Sequence, residues 1–79
     1  MRRTVKPKTP VKLLFKYDVD LINHIIYYVG VDETGRYYSV EEHEYNIGSA
    51  YSMYKDYCIL DDYEVEGLRQ KAKARGEHV

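Results

Sequence analysis

The sequence predicts a small α+β domain, a three-stranded antiparallel meander followed by two helices in the order βββαα. Three observations carry that expectation. Residues 11–17 alternate apolar and polar at period 2, the spacing of a half-buried strand. Residues 24–40, HIIYYVGVDETGRYYSV, are two β-favouring runs joined by a polar turn that ends in glycine. From residue 39 onward two segments begin with helix-capping residues, the signature of helix starts.

Seventy-nine residues suffice for one core of modest size. The organisation expected is a flexible basic arm (1–10), one domain (11–76) and a short tail (77–79). In the arm, MRRTVKPKTP, Pro7 and Pro10 disfavour helix at and before them. In the first strand Val11, Leu13, Phe15 and Tyr17 fall on one face, with Lys12, Leu14 and Lys16 on the other. Lysines on the outer face suit an edge strand, because charge there opposes sheet-to-sheet association.

Over residues 20–30 two readings compete. Asp20 as a cap, an apolar face of Leu21, Ile22, Ile25, Ile26 and Val29, and Gly30 as a stop describe a helix. Yet Ile25, Ile26, Tyr27, Tyr28, Val29 and Val31 are β-branched or aromatic, and such side chains favour a pleated surface. A strand is therefore expected, then a hairpin turn at Asp32-Glu33-Thr34-Gly35 and a returning strand from Arg36 to Val40.

Ser39 with Glu42 fits a capping box. A helix is expected from there to about residue 58, with Val40, Ile47, Ala50, Tyr51, Tyr54 and Cys58 on one face. Gly48 would weaken it by roughly 0.8–1 kcal/mol relative to alanine. A second helix is expected over about residues 62–75, capped at Asp61-Asp62 and stopped at Gly76. Its acids at the start and bases at the end complement the helix dipole.

Enzymatic chemistry finds little support in the pattern. His24, His43 and His78 are scattered, and neighbours in Glu41-Glu42-His43-Glu44 would not face one another on a helix. The lone cysteine, Cys58, falls on the apolar face of the expected helix, where an inert core thiol is the ordinary case. There is no phosphate-binding glycine loop and no metal-ligand spacing. The expectation is a non-enzyme with no cofactor and no metal. A single cysteine leaves no intrachain disulfide, and no run approaches the roughly 20 apolar residues that span a bilayer. A cytoplasmic protein that does not enter the membrane is expected.

Charge and tyrosine content point instead to binding. The net charge of −1 conceals three zones. Residues 1–16 hold six bases and no acid, residues 17–66 hold twelve acids against Arg36 and Lys55, and residues 67–79 hold four bases against Glu77. Ten tyrosines, one phenylalanine and no tryptophan make an aromatic set suited to half-buried contact surfaces.

The leading expectation is a regulator or inhibitor that sets an acidic, tyrosine-rich surface against a basic partner protein. Nucleic-acid-processing or defence machinery, the kind blocked by small viral proteins, presents such surfaces. Its candidate contacts are Tyr37, Tyr38, Glu41, Glu42, Glu44, Asp61 and Asp62. The alternative is a nucleic-acid binder gripping phosphates with Arg2, Arg3, Lys6, Lys8, Arg69, Lys71, Lys73 and Arg75. A third reading is a small-ligand binder at a subunit interface, with self-association through the uncovered sheet face.

Overall fold

The structure, a computed structural model, describes residues 4–47 and 50–77. It contains a five-stranded antiparallel sheet and one helix: β1 (Thr4–Val5), β2 (Lys12–Asp20), β3 (Ile25–Val31), β4 (Tyr37–Ile47), β5 (Ala50–Leu60) and α1 (Asp62–Ala74). The sheet order is β1-β5-β4-β3-β2, so β2 to β5 form a meander and β1 closes its far edge.

This corrects the expected three strands and two helices. The first expected helix is instead the β4–β5 pair, in register from Tyr37↔Leu60 to Ile47↔Ala50 without a shift. Its helical spacing was genuine, but the segment is rich in tyrosine, which packs better on a pleated surface. Two neighbouring strands then reward period 2 over period 3.6. Ser39, expected to cap a helix, is instead buried in β4, where its hydroxyl meets the Tyr17 hydroxyl at 2.6 Å. Gly48 lies outside the described residues.

The remaining elements follow from local chemistry. Asp20 holds the β2–β3 turn: its Oδ1 accepts from the amides of Ile22 and Asn23, and its Oδ2 from Asn23 Nδ2. In the β3–β4 turn Asp32 Oδ1 accepts from the Thr34 and Arg36 amides and the Thr34 hydroxyl. Gly35 takes φ 88° there, a conformation that costs other residues energy. Asp61 caps α1 in a reciprocal box with Glu64.

Alternation gives the sheet two faces. On the helix face Phe15, Tyr17, Val29 and Leu60 pack against Val65 and Ala72 of α1, with Tyr27, Tyr37 and Leu68 alongside. Two ion pairs to Asp18, from Lys71 at 3.0 Å and Arg75 at 3.6 Å, fix the end of α1 over β2. The hydrogen bond from Lys71 lowers the Asp18 pKa.

The opposite face is crossed by a strap. Residues 6–11 connect β1 on one edge to β2 on the other, a distance of four strand spacings, roughly 19 Å. Six residues cover that only when nearly extended, the conformation that Pro7 and Pro10 favour. The strap runs beside the β3–β4 turn, where Thr9 Oγ1 accepts from the Glu33 amide. Under it lie Gly30, Tyr38 and Val40, all buried. A Cβ added at Gly30 would meet Val11 Cγ1 at 2.6 Å, so only glycine admits the strap at that point.

Candidate functional site

The end of the sheet away from the strap concentrates features that the core does not use. There β4 and β5 run past β3. The last ladder pair with β3 is Ile25↔His43, followed by one amide bond from Glu44 to the His24 carbonyl. Beyond it only β4 and β5 continue, from Glu44↔Met53 to Ile47↔Ala50. Beside this projection stands the β2–β3 turn. Because Asp20 ties the turn backbone from inside, Leu21 and Ile22 point outward and are 81% and 89% exposed.

Val19, Leu21, His24, Ile25, Ile26 and Glu44 line an apolar depression at the base of the turn. Met53, about half exposed and opposite Glu44 in the ladder, continues the apolar surface onto β5. Acids rim it: Asp20 in the turn, Glu42 and Glu44 on β4. The hydrogen bond from Asn23 lowers the Asp20 pKa and keeps that carboxylate charged. Lys55 stands opposite Glu42 in the ladder.

A second cluster sits on the helix face at the same end. Glu41 and Asp56 are direct cross-strand partners, an arrangement of like charges that destabilises a sheet. His43 Nε2 lies 3.3 Å from Glu41 Oε1 and 3.4 Å from Asp56 Oδ2. Its ring stacks on Tyr54 at 4.5 Å between centroids with 2° between planes. Nε2 is buried and makes no hydrogen bond of good geometry. The imidazole thus lies between the two carboxylates. Neighbouring Tyr27 has its pKa raised by burial, then by the Glu41 charge. No group of three or more His, Cys, Asp or Glu side chains among the described residues is arranged to hold a metal ion.

Cys58 is buried. It pairs with Ser39, four ladder positions from the His43↔Tyr54 pair, which separates it from His43 by roughly 13 Å along the strands.

The residues expected to bind a partner do not form one surface. Tyr37 is half-buried against the helix-face core. Tyr38 is buried on the strap face, donating to Asp32 Oδ2 at 2.8 Å. Glu41 belongs to the histidine cluster, and Asp61 is occupied as the helix cap. Asp62 opens α1 beside the β3–β4 turn, at the opposite end from Glu44. At the projecting end only Glu42 and Glu44 share the face of the apolar depression, Glu41 lying on the opposite face. Leu21, Ile22 and Met53 were missed, although Leu21-Ile22 between Asp20 and Asn23 is legible as an apolar pair inside an Asp-x-x-Asn turn.

The bases of the nucleic-acid alternative are divided as well. Lys6 and Lys8 are exposed on the strap. Lys71 of α1 and Arg75 at its C-cap pair with Asp18, and Arg69 lies over the Phe15 ring and near Glu66. Lys73 is exposed. The strap and the helix occupy opposite faces of the sheet, so these side chains make two groups. Arg2 and Arg3 lie outside the described residues, as does His78.

The class defined by this architecture is an α+β domain: a five-stranded antiparallel meander with one helix on one face and an extended strap on the other. Compared with protein-family models, curated proteins and solved structures, the chain finds no match. Among the described residues no helix is long and apolar enough to cross a membrane.

Proposed function

We propose that the protein is a non-enzymatic binding module, a regulator or inhibitor in the cytoplasm, that docks its projecting sheet end onto a basic protein surface. The observation that carries the reading is the convergence of exposed Leu21, Ile22 and Met53 with Asp20, Glu42 and Glu44 at one end. An exposed apolar patch rimmed by charge is the usual form of a docking site. The apolar side chains supply the contact area, and the acids steer and orient a partner rich in lysine and arginine. Basic surfaces of nucleic-acid-processing or defence proteins have that character.

Leu21→Asp with Ile22→Asp changes two side chains that contribute almost nothing to the core, so the fold persists. Glu44→Lys reverses one rim charge. Immobilised protein should recover a partner from lysate that both variants lose, with retention falling as salt rises. A partner held equally by wild type and by both variants refutes the reading. Fluorescence anisotropy with single- and double-stranded oligonucleotides at ~50 mM salt, where phosphate contacts are strongest, should show no binding. Saturable binding abolished by deleting residues 1–8 would transfer the function to the basic ends.

A further inference from the structure

The two long edges of the sheet are built differently. At β2 the register with β3 shifts twice, between Leu13 and Phe15 and between Lys16 and Asp18. Lys12 and Lys16 lie on that strand, and Glu77 beyond α1 reaches Lys16 at 3.9 Å. Bulges, lysines and a covering element are the devices by which sheets avoid edge-to-edge pairing. β5 has no bulge, one lysine (Lys55) near the covered end, and a covering strand over only two residues. Its ladder with β4 runs through eleven pairs without a shift. β1 covers only Tyr57 and Cys58, and no other strand among the described residues lies along its outer side. Ala50 to Tyr54, AYSMY, has no charge, proline or glycine.

We infer that the outer edge of β5, from Ala50 to Asp56, pairs antiparallel with the same edge of a second copy of this chain. The identity of the occupant follows from register. The open stretch is bounded by Ala50, where the strand begins, and by Asp56, beyond which β1 occupies the edge. Its midpoint is Met53. A two-fold axis at Met53 uses the whole stretch and brings each incoming strand end to end with β1. Every other symmetric register shortens the pairing.

That register also places compatible residues opposite one another. Lys55 stands across from Tyr51 of the second copy, Asp56 from Ala50, and Met53 from Met53, so no like charges meet. Registers centred on Lys55 or Asp56 would oppose like charges. The product is a continuous ten-stranded sheet with both helices on the same side. One strand seam makes a weak association, and the Leu21-Ile22 turn, carried on β2 and β3, stays accessible. Met53 belongs to both surfaces. The docking proposed above is read at the Leu21-Ile22 turn and self-pairing at positions 53 and 55, so the failure of one is distinguishable from the failure of the other.

The test is sedimentation velocity of the full chain from about 5 to about 500 µM, where mass action separates a weak dimer from a monomer, with site-specific crosslinking. Mass should rise with concentration from 9.4 kDa toward twice that value. Met53→Cys should form a disulfide-linked dimer under mild oxidation, because residues facing each other across the axis have Cα atoms within the roughly 4.4–6.8 Å that a disulfide spans. Lys55→Cys should not crosslink, because its counterpart is displaced four residues along the strands, roughly 13 Å. Met53 is about half exposed and Lys55 is exposed, so both variants fold; the wild type with buried Cys58 is the control. A monomer at the highest concentration overturns the inference, even if it accepts an added peptide strand on β5. So does equal crosslinking at positions 53 and 55, or none at 53.

Discussion

Gly30→Ala tests whether the strap lies pressed on the sheet. A Cβ at position 30 would meet Val11 Cγ1 at 2.6 Å, the Lys12 carbonyl oxygen at 3.0 Å and Val40 Cγ2 at 3.3 Å. Val11 can rotate or shift, but the Lys12 oxygen is backbone at the start of β2, and Val40 is fully buried. Relieving such overpacking typically costs 1–3 kcal/mol. Against it stands the roughly 0.5–1 kcal/mol that alanine ordinarily gains over glycine in a strand. The net expectation is a loss of about 1–2 kcal/mol. Urea denaturation followed by far-UV circular dichroism reads it directly.

A double-mutant cycle with Val11→Ala separates the strap from the rest of the packing. Val11→Ala alone removes half-buried methyl groups and costs about 1 kcal/mol. In the double variant the alanine methyl at position 30 enters the space that Val11 vacated, so the combined loss falls short of the sum. A coupling of about 0.5–1.5 kcal/mol is expected for residues in direct contact. If Gly30→Ala is neutral or stabilising, or if the two losses add within about 0.3 kcal/mol, the strap does not press on Gly30 and the account of this face is wrong.

Three further outcomes follow. Hydrogen bonds, first that of the Thr34 hydroxyl, lower the Asp32 pKa to about 2; the stability it contributes is present above its unfolded value near 3.8 and lost as pH falls toward 2, so Asp32→Asn should flatten the acid limb of the pH-stability curve over that window, and an unchanged limb refutes the assignment. Tyr17→Phe strands the buried Ser39 hydroxyl and should cost about 1–3 kcal/mol, whereas Tyr17→Phe with Ser39→Ala should recover part of it; a double variant as unstable as the two losses combined denies the coupling. Asp61→Ala removes the side chain that accepts from the Glu64 amide at 2.8 Å and should cost about 1 kcal/mol with loss of helical signal; a melting curve superimposable on wild type would show the cap to be idle.

Much of the meander was legible because its signals are local. Alternation in residues 11–17, β-branched content in 25–31, the Asp32–Gly35 turn and the cap at Asp61 each report on a few neighbouring residues. What was not legible depends on distant partners. The Ser39 and Glu42 pattern satisfies a capping box as readily as a strand whose hydroxyl finds Tyr17 twenty-two residues away. The short β1 strand of Thr4–Val5 has no period to detect and exists only because β5 offers an edge at Tyr57 and Cys58. Tyr37 and Tyr38, read as a contact pair, were divided between two buried faces once β4 became an inner strand.

The segment Glu41-Glu42-His43-Glu44 shows how a change of period alters function as well as fold. On a helix its neighbours diverge by about 100° each, giving one diffuse, solvated acidic start. On β4 the same residues sort by parity. Glu41 and His43 take the helix face, where Asp56 completes an imidazole between two carboxylates. Glu42 and Glu44 take the strap face, where Lys55 opposes Glu42 in the ladder while Glu44 stands exposed between the Leu21-Ile22 turn and Met53. Of these four residues, Glu41 and His43 are thus drawn into a cluster with Asp56 on the helix face. Glu44 is left as the rim charge that a basic partner meets first.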